Sequence, residues 1–102
     1  MTETKHFFAV IKPYRQDFII NPKKEEEEIM SDHFYYLKSL QEQDKLFLAG
    51  PTLIPEDPYG VIIFETKTEK EAKKLLEEDP SIKAGIQKID DFRPIRLSLL
   101  KK

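Results

Sequence analysis

The chain has 102 residues, 39% hydrophobic and 35% charged, with a formal net charge of -2, the composition of one solvated globular domain spanning 1–102. That balance excludes a nucleic-acid binder, which needs a positive excess to meet phosphate, and no apolar run approaches the roughly 20 residues of a membrane span. There is no cysteine, so disulfides and thiolate chemistry are excluded; with no leader-like pattern in Met1-Thr2-Glu3-Thr4-Lys5, a cytoplasmic location is expected.

Residues 5–12 (Lys5-His6-Phe7-Phe8-Ala9-Val10-Ile11-Lys12) form a short apolar run ended by Pro13, a strand apolar on both faces. Residues 13–22 read as loop, with Asn21-Pro22 marking a helix start. The helix runs to about Gln43 and opens on Glu25-Glu26-Glu27-Glu28, acids that suit the positive end of a helix dipole. The Glu run reads as a solvated helix start.

Lys45 to Leu53 is a second strand, interrupted by Gly50-Pro51, which a bulge explains. Pro55-Glu56-Asp57-Pro58 is a loop. Residues 59–66 (Tyr59-Gly60-Val61-Ile62-Ile63-Phe64-Glu65-Thr66) are a third strand, again apolar on both faces. Thr68-Glu69-Lys70-Glu71 is a capping box, and the helix it opens buries Ala72, Leu75 and Leu76. Asp79-Pro80 stops that helix, because the residue before proline avoids helical geometry. Asp79 to Gly85 then reads as a single helical turn, with Asp79 as N-cap, Pro80 at its first position and Gly85 past its end. Ile86 to Leu97 is a fourth strand carrying Pro94.

The order β-α-β-β-α-β predicts an α+β, ferredoxin-like fold: a four-stranded antiparallel sheet with two helices on one face. The first and third strands are central, the second and fourth are edges. Pro94 fits an edge strand. The other sheet face still carries apolar side chains from the first and third strands. A second copy packing sheet to sheet is the simplest cover, so a homodimer through the open face is expected.

The chemistry centres on His33. At about 100° per residue, Ile29, His33, Leu37 and Leu40 share one helix face, flanked by Met30 and Phe34. An imidazole inside an apolar stripe needs a partner or a purpose. Asp79 is the best candidate partner. It follows Glu77-Glu78, three acids at a helix end whose dipole disfavours them, and both helices lie on one sheet face. Its capping role does not exclude this second one. Gly50 and Pro51 are candidates to shape a pocket wall, where glycine lets a ligand approach the backbone. Tyr36 borders the stripe. Lys12, Tyr14, Arg15, Arg93 and Arg96 are candidates to hold an anionic substrate. The two histidines, His6 and His33, show no metal-ligand spacing, so neither metal nor cofactor is expected. Neither a glycine-rich phosphate loop nor a Gly-x-Ser-x-Gly elbow occurs.

Taken in order, His33-Phe34-Tyr35-Tyr36-Leu37, Leu46-Phe47-Leu48-Ala49-Gly50-Pro51, Glu71-Ala72, Asp79-Pro80 and Ala84-Gly85 resemble the YciI-like (YCII-related) family over about Phe7 to Leu97. The resemblance implies a dimeric α+β barrel. It also implies a His–Asp pair in a pocket near the dimer interface, here His33 and Asp79, and lyase- or dehalogenase-like chemistry on small, often aromatic, compounds. Met30 departs from the pattern, since members often carry arginine three residues before the helix histidine. The loop Ile54-Pro55-Glu56-Asp57-Pro58-Tyr59 is also particular to this chain.

The resulting expectation is a small-molecule enzyme with catalytic His33 and Asp79, substrate contacts from Tyr36, Gly50, Pro51 and Arg93, and general acid/base chemistry by proton abstraction or elimination. The alternative is a non-catalytic dimeric module of the same fold that binds a small ligand. A cofactor-free oxygenase is a third reading, with no positive sign in the residues. The substrate itself is not legible.

Overall fold

The strands and helices follow one another as β1 (Lys5–Pro13), α1 (Lys24–Glu42), β2 (Leu46–Pro51), β3 (Gly60–Thr66), α2 (Glu69–Glu77), α3 (Pro80–Lys83) and β4 (Gln87–Ile95). A computed structural model of the chain describes residues 5–15, 18 and 21–101. The N-terminal residues 1–4, and residues 16, 17, 19 and 20 of the expected 13–22 loop, lie outside the described residues.

The four strands form one antiparallel sheet in the order β2-β3-β1-β4. The apolar strands β1 and β3 are central, as expected. Pro51 and Pro94 both fall on edge strands, where a missing ladder N–H is tolerated.

Side chains alternate across the sheet. Phe7, Ala9 and Ile11 of β1, with Ile62 and Phe64 of β3, pack against Leu40 of α1 and Ala72 and Leu76 of α2. Phe64 and Ala72 are sealed completely. Burying an aromatic or branched aliphatic side chain of this kind is worth about 1.5–3 kcal/mol. The alternate residues Phe8 and Val10 of β1 and Val61 and Ile63 of β3 face the other way, where no helix covers them.

Two helix ends close as Schellman-type turns. After α1, Asp44 takes φ 61°, its N–H bonds Gln41 O at 3.1 Å and that of Lys45 bonds Leu40 O at 2.9 Å. After α3, Gly85 takes φ 73°, and Ile86 N–H reaches Ser81 O at 3.0 Å. Glycine suits this left-handed position because it has no Cβ to clash.

Three local expectations need correction. The capping box at Thr68 is only half formed. Thr68 Oγ1 accepts from Glu71 N–H at 3.1 Å, but the Glu71 carboxylate lies 3.7 Å from Lys45 Nζ instead of turning back to the cap. The break in β2 is not at Gly50-Pro51, which pair regularly with Val61 and Gly60; the register shifts between Leu46 and Leu48. The Glu run is not uniformly solvated either. Glu26 pairs with Arg15, its carboxylate accepts from Lys23 N–H at 2.7 Å, and the Arg15 guanidinium holds it below the ordinary carboxylate range.

Candidate functional site

Two rows of α1 side chains, Met30, Phe34 and Lys38 beside His33, Leu37 and Gln41, face a cavity of about 490 Å³. The spacing of three and four residues puts both rows on one side of the helix. Leu40 turns away into the core, so the expected stripe divides between core and cavity. The opposite walls come from β2 and β3, through Leu46, Ala49, Gly50, Pro51, Gly60 and Ile62, and from Pro58 and Tyr59 of the loop before β3. Ile11, Pro13, Phe18, Thr52, Val61 and Gln87 complete the lining, which holds no Asp or Glu and one Lys.

His33 Nδ1 lies 2.7 Å from Asp79 Oδ2. Their side chains are 13% and 1% exposed, so the carboxylate sits behind the ring, sealed from solvent, and the ring forms part of the cavity wall. A carboxylate in that place holds the proton on Nδ1 and leaves Nε2 as the free position.

The α2–α3 junction puts Asp79 there. Proline at 80 stops α2 and starts α3, and Asp79 caps α3 by accepting from Ser81 N–H at 2.8 Å. The cap and the histidine contact use different oxygens. Oδ1 takes Ser81 N–H and, also at 2.8 Å, the Ser81 hydroxyl; Oδ2 takes His33. Ser81 Oγ accepts from Gln87 Nε2 at 3.1 Å and lies 3.4 Å from His33 Nδ1. No sealed side-chain nitrogen or oxygen of this group lacks a partner, as a polar network in a low-dielectric interior requires.

Ser81 and Gln87 are absent from the sequence reading. A signal for Ser81 is its place two residues after a capping Asp, the spacing at which a capped N–H falls. Gln87 depends on a bulge. The β1–β4 register shifts between Val10 and Ile11, so Val10 faces Asp91 and Ile11 faces Ile89. Passing over Asp90 turns Gln87 and Ile89 to the helix side along with Phe92.

Of the other candidates, Gly50 and Pro51 line the cavity. A Cβ added at Gly50 would meet nothing within 4 Å, whereas at Gly60 it would come 3.3 Å from Ile11 Cγ1 and crowd that side chain. Tyr36 and Arg93 lie elsewhere. Arg93 pairs opposite Phe8 on the open face and bonds Asp91 Oδ1 at 3.1 Å. Tyr36 packs towards α2, its hydroxyl donating to Leu75 O at 2.6 Å. Burial first, then the negative charges of Glu78 and Asp79, push its phenol up to about 12 from an ordinary 10.0.

That shift carries a sign. Below pH 10 the phenol is neutral whether folded or unfolded, and its stabilisation is whole. Between pH 10 and 12 the unfolded chain loses the proton first, so stability falls. Urea unfolding is expected to show wild type more stable than Tyr36→Phe by about 1 kcal/mol at pH 8. The gap should narrow or reverse by pH 11.5.

Among the described residues no three His, Asp or Glu gather as metal ligands, and no helix is long and apolar enough to cross a membrane.

The architecture is similar to that of solved structures. One is the 5-chloro-2-hydroxyhydroquinone dehydrochlorinase TftG from Burkholderia phenoliruptrix AC1100, in complex with 2,5-dihydroxybenzoquinone. It is 22% identical, with a TM-score of 0.59, covering 88% of this chain and 91% of that one. Another, described as protein YJCS from structural genomics, is 15% identical with a TM-score of 0.56, covering 92% of this chain and 98% of that one. At these identities the likeness is one of fold. No curated protein matches. The model of the YCII-related domain matches residues 6–95, a span from the first strand to the last that includes His33, Asp79, Ser81 and Gln87, and the chain therefore belongs to the YCII-related domain family.

Proposed function

We propose that this chain is a small-molecule enzyme in which His33 is the general acid/base and Asp79 orients it. The observation that carries the reading is the 2.7 Å contact from His33 Nδ1 to a fully buried Asp79 beside a 490 Å³ cavity. With Nδ1 tied to the carboxylate, Nε2 is the basic nitrogen. It takes a proton from a bound molecule, and Asp79 stabilises the imidazolium that results. For a chlorinated hydroquinone, two ring hydroxyls give up their protons and their O–H pairs end in the two quinone carbonyls; one proton is delivered to the carbon that bears chlorine, and chloride departs with the C–Cl pair and the other proton. No oxidant or covalent intermediate is needed.

The fold neighbour supports this class of chemistry, since a dehydrochlorinase holds a planar quinone on the same architecture. A cavity with three aromatic rings, Phe18, Phe34 and Tyr59, and no carboxylate suits a flat ligand, neutral or anionic. The test is chloride release from 5-chloro-2-hydroxyhydroquinone. Wild type is expected to release chloride, and His33→Ala to lose about 10²–10⁴ of the rate at a temperature where circular dichroism shows it folded. Undiminished release by His33→Ala would overturn the acid/base role. A thermal shift with 2,5-dihydroxybenzoquinone but no chloride release would make the chain a binding module.

We also propose that the protein works as a homodimer joined through the open sheet face. A 12.0 kDa monomer is expected to expose about 6,000 Å², and this chain exposes 7334 Å². Phe8, Val10 and Val61 lie half-buried at the centre of the face no helix covers, beside the buried Ile63, with Leu48 at its β2 side, 42% exposed.

A further inference from the structure

Gln87 opens β4 with 6% of its surface exposed, turned to the helix side by the bulge, and it lines the cavity. Its amide nitrogen donates to Ser81 Oγ at 3.1 Å and to Met30 Sδ at 3.6 Å. The orientation of the amide follows from the network. Ser81 gives its hydroxyl proton to Asp79 Oδ1 at 2.8 Å, so Oγ is left as an acceptor and must face the nitrogen of Gln87. Both N–H bonds are then committed, and Oε1 is the unused half of the amide.

No described side-chain nitrogen or oxygen is both sealed and unpartnered. Gln87 Oε1, which meets no donor among the described residues, therefore opens on accessible space, and the accessible space beside Gln87 is the cavity. Ser81 Oγ lies 3.4 Å from His33 Nδ1 as well as 3.1 Å from Gln87 Nε2. His33 and Gln87 thus flank one hydroxyl and share one wall.

We infer that Gln87 is a specificity-determining residue whose Oε1 accepts a hydrogen bond from a hydroxyl or N–H group of the molecule bound beside His33. This rests on reading the cavity as the ligand site. It goes beyond that reading by naming the ligand class: a protic compound, such as a phenol or enol, chosen over its ether. A buried acceptor left unpaired by the wrong ligand penalises it, which is how sites built on hydrogen bonds discriminate.

The probes are catechol and 1,2-dimethoxybenzene, one-ring molecules well within a cavity of this size. Each is titrated into labelled wild-type protein while the His33 ring resonances are followed. Wild type is expected to bind catechol about tenfold more tightly than the diether. Gln87→Met has similar length and no acceptor oxygen; it should bring the ratio near one by weakening catechol alone. Gln87→Glu retains acceptor oxygens and should keep the preference. An unchanged ratio in Gln87→Met, equal binding of both probes by wild type, or loss of the preference in Gln87→Glu would each overturn the inference and leave the cavity a ligand site. The Glu variant decides the matter if the Met variant does not fold. If neither probe moves the His33 resonances, the cavity reading falls and the inference falls with it.

Discussion

Asp79→Ala is expected to lower folding stability by about 3–5 kcal/mol, the usual result of removing one partner from a buried polar pair. The truncation strips the acceptor from three donors at once: Ser81 N–H, Ser81 Oγ and His33 Nδ1. Each buried donor left unpaired costs about 1–3 kcal/mol, and the cap of α3 is lost as well. Denaturant unfolding measures the loss, and a change below 1 kcal/mol would show that the network contributes little. Asp79→Asn separates the two roles of the side chain. Its Oδ1 can still cap Ser81, so most of the stability is retained. Its amide, however, presents N–H to His33 Nδ1, which forces the proton onto Nε2 and removes the base from the cavity side. A histidine held in the wrong tautomer has cost about 10⁴ in turnover in a triad enzyme. A stable Asp79→Asn with wild-type chloride release would refute the orienting role.

Phe8→Asp is expected to turn a dimer into a folded monomer. Phe8 lies at mid-strand in β1, paired with Ile63 on one side and Arg93 on the other, and faces away from both helices. In a two-fold interface the substitution places two carboxylates against the same apolar patch. Burying an unpaired charge costs several kcal/mol, which is enough to weaken association by more than a hundredfold. Sedimentation of wild type at about twice the 12.0 kDa chain mass, and of Phe8→Asp at the single-chain mass with unchanged helical circular dichroism, is the expected pair of results. A wild type that sediments as a monomer at micromolar concentration would remove the proposal.

The sheet order was legible because the β-α-β-β-α-β order sets the topology, apolar runs in β1 and β3 suit central positions, and Pro94 in β4 suits an edge. The approach of Asp79 to His33 was legible for a related reason: Asp79-Pro80 fixes where one helix stops, and both helices must cover the same sheet face. The rest of the network was not. Gln87 reads as an ordinary first residue of a strand, and alternation counted back from Phe92 puts it on the open face. Only the extra residue at Asp90 reverses that, and a bulge of this kind leaves no periodic signal. Tyr36 misleads in the opposite way. Three residues from His33, it is close in sequence, yet it lies on the flank of α1 that meets α2, where Leu75 O receives its hydroxyl. Arg93 is set by parity, since its partner Phe8 belongs to the uncovered face.

Because one carboxylate both starts α3 and holds the His33 ring, a lineage cannot replace Asp79 without also loosening the turn that joins the second helix to the last strand. Relatives that keep the fold should therefore retain an acidic or amide residue at 79 even where position 33 has changed, since the cap of α3 needs only that side chain.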